Sequence, residues 1–268
     1  MLRNEGDRLT RVVVCSPKTA YFKVDNCEAH NIKEVADRDL SIKQHKELRE
    51  TLRTFGSEVI DIDELEGHPN SVFTRDMAVV TPEGYIRMSM GIETRTGEEE
   101  LMSSALERLG EPRAGEINEP GTVEGGDVIL CGSVAFVGHT QRTNGEGIRQ
   151  ISRILKRMNY DVRMPEVPGS YLHLDQTIGV LGPERLIYCS GLFPPDLFKG
   201  FEAIPFSCEN DNVNFIGLGP NSILAPASNL GVIQQAERLG VKVHIVDLAE
   251  FWKGTGGPNC LIMPLERK

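Results

Sequence analysis

A chain of 268 residues, 40% of them hydrophobic, is long enough to bury a substantial core, and nothing in it forces a division, so one domain over residues 1–268 is expected. A formal net charge of −10 argues against nucleic acid and anionic membranes as partners, since phosphate binding needs concentrated Lys and Arg; it favours a small cationic ligand. No apolar run approaches the ~20 residues that cross a bilayer, and Met1 to Arg11 is charged and lacks the apolar core of a secretory signal, so a cytoplasmic location is expected.

In chain order, Arg11 to Cys15 reads as a strand, Lys18 to Asp37 as a long polar connector that could serve as a lid, Leu40 to Phe55 as a helix and Glu58 to Ile62 as a strand. Val72 to Val80 and Tyr85 to Met90 read as strands joined by the turn Thr81-Pro82-Glu83-Gly84. Glu98 to Leu109 follows as a helix, with Leu101, Ala105 and Leu109 at helical spacing and Gly110 as its stop. The order then recurs. Val123 to Leu130, Val134 to Val137, a helix near Gly145 to Met158 and an extended Tyr160 to Pro165 form the next unit. Tyr171 to Gly179 and Leu186 to Cys189 precede a short helix near Pro195 to Lys199, while Val213 to Gly217 and Ile223 to Ala225 precede a helix at Leu230 to Leu239. Cys260 to Leu265 is a last strand that would complete the unit begun at Arg11.

A repeat of roughly 40–50 residues points to a symmetric array, and a last strand that completes the first unit implies a closed ring of five. An open α/β sheet is the plainer alternative. The ring is preferred because residues with chemistry fall at one recurring place: Asp76, Glu124, His173, Asn214 and Cys260 each lie within or beside the first strand of their unit.

Six cysteines, at 15, 27, 131, 189, 208 and 260, are scattered through the chain in mostly apolar runs and are expected to be reduced thiols. No CxxC pair and no HxxxH or HExxH spacing occurs, so neither a metal nor a cofactor is expected. Cys260 departs from the inert buried cysteine because Gly256-Gly257-Pro258 gives a ligand close access to its thiol.

The segments PNSVFTRD (69–76), GTVEGGD (121–127), HLD (173–175) and GGPNC (256–260) together resemble the guanidine-modifying enzymes of the pentein superfamily, above all arginine deiminase and dimethylarginine dimethylaminohydrolase. The resemblance runs nearly end to end. It implies an α/β, five-bladed propeller of ββαβ units around a pseudo-five-fold axis, which agrees with the repeat.

It also implies that Cys260 is the nucleophile and that His173, which would otherwise read as a satisfied core histidine, protonates the leaving amine and then activates water. Glu124 inherits contact with the guanidinium and orientation of the site, with Asp127 supporting it. Asp76 and Asp175 would hold the planar cation bidentately, although either alone would read as a structural ion pair. Arg142 and Arg95 resemble arginines that bind the substrate α-carboxylate, Asn70 lines the same end, and Phe73 stacks near the guanidinium.

The expected reaction is hydrolysis of a guanidino group through a covalent thiouronium on Cys260, L-arginine giving citrulline and ammonia. FTRD, HLD and GGPNC look like arginine deiminase, whereas the short chain, RTNGEG and TRTGEEE look like dimethylarginine dimethylaminohydrolase. Free arginine is favoured, because Asp175 stands where the methylarginine enzymes usually lack an acid. An amidinotransferase fits the motifs less well. Rivals from other classes are a non-catalytic pentein binding protein, which would lack the Cys and His pair, and a metallohydrolase using His173, Asp175 and Glu124. Homo-oligomer formation is left open.

Overall fold

Strands buried on both faces can be apolar throughout, whereas an outermost strand must carry polar side chains toward water. Both kinds recur here. The computed structural model describes residues 2–209 and 211–268. Strand β1 (Leu9–Cys15) leads through helix α1 (Arg38–Phe55) to β2 (Glu58–Ile62). Next come β3 (Ala78–Thr81), β4 (Gly84–Arg87), α2 (Glu98–Arg108) and β5 (Arg113–Glu116). They are followed by β6 (Val128–Cys131), β7 (Val134–Val137), α3 (Gly145–Arg157) and β8 (Asp161–Arg163). The fourth unit has β9 (Ile178–Gly182), β10 (Arg185–Cys189), a 3-10 turn at Pro195–Phe198 and β11 (Glu202–Phe206). The chain ends with β12 (Ile216–Gly219), β13 (Ser222–Pro226), α4 (Leu230–Arg238), β14 (Lys242–Val246), α5 (Ala249–Lys253) and β15 (Met263–Arg267).

These strands form five three-stranded sheets, each an antiparallel pair extended by a parallel third strand. The parallel step is reached through α1, α2, α3, the Pro195 turn or α4. β15 pairs antiparallel with β1, so the two ends of the chain share one sheet as the sequence implies. β3, β6, β9 and β13 are buried along their whole length, while β2, β5 and β11 alternate toward solvent. Local signals set the long helix: the Asp37 carboxylate accepts from the Leu40 amide at its start, and Gly56, at φ 104°, ends it.

The inner strands begin later than their apolar runs suggest. In four sheets the residues just before the first strand form a 3-10 turn instead, at Thr74–Asp76, Gly125–Asp127, Leu174–Gln176 and Asn259–Leu261. The turn at Thr74–Asp76 touches those at Gly125–Asp127 and Asn259–Leu261, and the one at Leu174–Gln176 touches Gly125–Asp127. The motif residues are therefore gathered where the turns meet, ahead of the strands.

The Lys18 to Asp37 connector is anchored at several points. Buried Tyr21 stacks on Phe251 with centroids 5.4 Å apart, and its hydroxyl donates to the Glu250 carbonyl at 3.0 Å. Farther along, Asn31 exchanges hydrogen bonds with Thr255, and Asn70 Nδ2 donates to the His30 carbonyl at 2.8 Å.

One expectation is corrected: Cys189 and Cys208 are disulfide-bonded, while Cys15, Cys27, Cys131 and Cys260 are free. The pairing has no local spacing to reveal it, since 19 residues separate the partners. Parallel β10 and β11 put Cys189 opposite Phe206, which brings Cys208 to the same strand end. Cys208→Ser is expected to lower the unfolding free energy by about 3 kcal/mol in urea titrations, because the open chain regains loop entropy. An unchanged midpoint, with and without reductant, would contradict a stabilising bridge.

Candidate active site

Close approach of backbone to side chain explains the glycines of the motifs. A Cβ on Gly126 would stand 2.8 Å from the His173 ring, and one on Gly256 would stand 2.1 Å from the Phe73 ring. Only glycine admits those rings. The result is a narrow pocket lined by Asn70, Phe73, Asp76, Arg95, Arg142, His173 and Cys260, with Asn31, Leu172 and Thr255 among its other walls. Two predicted residues are absent from that lining: Glu124 bonds to His173, and Asp175 bonds through Oδ2 to Asn259, the neighbour of the nucleophile.

His173 is held between acids, with Nε2 2.7 Å from Glu124 Oε2 and Nδ1 3.8 Å from Asp76 Oδ1. Burial opposes an imidazolium here, but the charges of Asp76 and Asp127 and the bond to Glu124 outweigh it and raise the His173 pKa to about 10. Glu124 is the reciprocal case. Burial disfavours its charge, yet the His173 bond and the charges of Arg95 and Arg142 hold its carboxyl well below the usual range. Its oxygens are occupied: Oε1 accepts from the Gly91 amide at 2.9 Å and from Arg142 Nη1 at 3.2 Å.

Cys260 is 5% exposed, and burial together with the nearby charges of Asp175 and Asp76 pushes its thiol well above the ordinary value. Asn214 Nδ2 is its polar neighbour, 3.8 Å from the sulfur. Burial raises Asp175 to about 6, against the charges of His173 and Arg75 and the 2.8 Å bond from Asn259 Nδ2 to Oδ2. Asp175 Oδ1 is buried without a hydrogen-bond partner among the described residues. The site therefore presents a buried thiol beside two carboxylates, one with an oxygen to spare, and the group that relieves both is a cation with N–H donors.

Arg95 lines the pocket as the resemblance implies, but its charge is already engaged. Instead of an open guanidinium awaiting a carboxylate, its Nη1 lies 2.7 Å from Asp76 Oδ2 and 3.6 Å from Glu124 Oε2. Buried acids claim it because an unpaired buried guanidinium is costly. Asp76, Glu124 and His173 bring ligand atoms within 4.8 Å of one another, and the Arg95 cation stands among those oxygens.

Sequence reasoning passed over Glu98 and Asn259. Asn259 was legible in GGPNC and Glu98 in TRTGEEE, but neither had a local partner to mark it. Asn214, noted only for its place in the repeat, accepts from the Asn259 amide at 3.1 Å through Oδ1 while facing the thiol.

Comparison with known proteins agrees with this geometry. The family model for N,N dimethylarginine dimethylhydrolase, eukaryotic, matches residues 16–238. A dimethylarginine dimethylaminohydrolase of Streptomyces coelicolor is 31% identical over 93% of this chain and 94% of its own length. An arginine deiminase of Listeria monocytogenes is 24% identical over 99% of this chain and 79% of its own. Among solved structures, a cysteine-to-serine variant of the Pseudomonas aeruginosa dimethylarginine dimethylaminohydrolase in complex with citrulline superposes with a TM-score of 0.83 at 25% identity, covering 96% of this chain and 99% of that one. Its five sheets, its motif residues and these relatives agree that the chain belongs to the dimethylarginine dimethylaminohydrolase family of the pentein superfamily and is a C–N hydrolase acting on guanidino groups.

Proposed function

We propose that this enzyme hydrolyses the guanidinium of free L-arginine, releasing ammonia and citrulline. The observation that carries the reading is the free, buried Oδ1 of Asp175 near a thiol that burial, together with the charges of Asp175 and Asp76, keeps protonated. An incoming guanidinium donates to both carboxylates, offsets their charge at the sulfur and lowers the thiol pKa, so the thiol gives its proton to solvent and the nucleophile forms when substrate is present.

The thiolate of Cys260 then adds to the central carbon, giving a tetrahedral adduct. His173, an imidazolium in the empty site, gives its proton to the departing nitrogen as the C–N bond breaks, which leaves a thiouronium on Cys260 and a neutral imidazole. That imidazole takes a proton from water. Hydroxide adds to the same carbon, and as the C–S bond breaks the hydroxyl proton passes to the sulfur, which restores the thiol and releases the neutral ureido product.

Dimethylarginine is the second reading, and the family match favours it. The two readings differ at Asp175, because a doubly methylated nitrogen has no N–H to offer its free oxygen. A ureido-product assay with arginine, asymmetric dimethylarginine and agmatine in parallel separates them. Arginine is expected to give the highest kcat/KM, and Asp175→Asn is expected to lower it by about 10–100-fold, the cost of losing a charged hydrogen-bond partner. Agmatine should be much poorer than arginine, with the difference erased in Arg142→Ala. Dimethylarginine outperforming arginine would overturn the substrate assignment and make the methylated amino acid the substrate.

A further inference from the structure

Glu98 takes no part in the reaction above, yet it is 0% exposed at the first turn of α2. Its Oε2 accepts from Arg95 Nε at 2.8 Å and lies 2.8 Å from Nη2 of the same guanidinium. The other oxygen, Oε1, has no hydrogen-bond partner among the described residues and has His68 Nδ1 3.8 Å away. Arg95 is thus held by one edge on Glu98, while its Nη1 points the other way, 2.7 Å from Asp76 Oδ2 and 3.6 Å from Glu124 Oε2. Its remaining contact, from Nη2 to the Phe73 carbonyl, spans 3.2 Å.

Arg95 is itself a guanidinium resting on the carboxylate that the proposed reaction gives to the substrate's guanidinium. Two such cations on one aspartate repel, and a buried arginine stripped of its anion pays a large desolvation cost. Substrate can take over Asp76 only if the resident cation keeps another anion nearby. The geometry points to Glu98 as that anion: a positioning residue that acts through Arg95, holding it by the Nε edge so that Asp76 can be released to the substrate. The inference rests on the reading of Asp76 as a substrate partner.

Without the Glu98 charge, Arg95 has Asp76 and Glu124 as its remaining anions and holds them more tightly against the incoming cation. In Glu98→Gln, KM for arginine is expected to rise about tenfold or more while kcat stays within about threefold, the signature of weakened ground-state binding. Since Glu98 acts through Arg95, Glu98→Gln added to Arg95→Gln should change KM by less than about twofold. Calorimetric binding of arginine in the Cys260→Ala background gives the same cycle without turnover. Glu98→Asp, which keeps the charge, should restore most of the affinity and serves as the variant to read where Glu98→Gln fails to fold.

A KM or Kd unchanged in Glu98→Gln, or an equal loss in the presence and absence of Arg95, would overturn the inference. So would Glu98→Asp behaving like Glu98→Gln. Failure of the function itself reads differently, as a wild-type protein that makes no ureido product from arginine.

Discussion

Cys260→Ala is expected to abolish ureido-product formation, with kcat reduced by at least about 10⁴-fold, because no other group in the pocket can form the bond to carbon. The free cysteines at 15, 27 and 131 are outside the pocket lining, and burial pushes the thiols of Cys15 and Cys131 upward. Burial raises the Cys260 thiol too, but among the free cysteines it alone lines the pocket, where a cation can offset the part of the shift that Asp175 and Asp76 add. Alkylation by a neutral reagent should therefore be slow in the empty enzyme. Mass spectrometry of the wild type quenched during turnover should place an adduct on the peptide containing Cys260. An adduct on Cys131, or residual turnover in Cys260→Ala, would remove Cys260 as the nucleophile.

His173→Gln is expected to lower kcat by about 10²–10⁴-fold, the range for loss of a general acid and base. The pH profile tests the role further. In the free enzyme Asp175 is raised to about 6, His173 to about 10 and the Cys260 thiol above its ordinary value, so kcat/KM should show an acid limb below the first value, climb further as the thiol ionises and fall as His173 loses its proton. Asp175→Asn should remove the acid limb. Stability carries an independent signature, because the folded pKa of His173 is raised above its ordinary 6.5. Its ion pairs contribute stability that is fully present below about 6.5 and lost as pH rises through about 10. Urea unfolding at neutral and alkaline pH should show this loss in the wild type and a smaller one in His173→Gln. A wild-type alkaline limb near pH 7, or identical pH dependence of stability in both proteins, would show that His173 is not held as an imidazolium.

The repeat, the shared sheet at the chain ends and the motif residues were legible in the sequence because each is written locally. Short apolar runs give strands, Gly110 stops a helix, and β7 and β2 begin and end where their sequence patterns do. The glycines of EGGD and GGPNC likewise announce close approach, and the structure sets a ring against Gly126 and another against Gly256. What only the tertiary structure decided are pairings between distant segments. The Cys189–Cys208 bridge depends on β10 and β11 running parallel, and no spacing encodes that. The turns ahead of the inner strands read as strand continuations because they run directly into apolar segments, and the packing of turn against turn that gathers them at the common site joins distant parts of the chain. Arg95 is the clearest case. Its motif identifies an arginine of the site, but which charge it meets depends on Glu98, Asp76 and Glu124 arriving from three places in the chain, and buried charges pair with whatever the fold brings within reach.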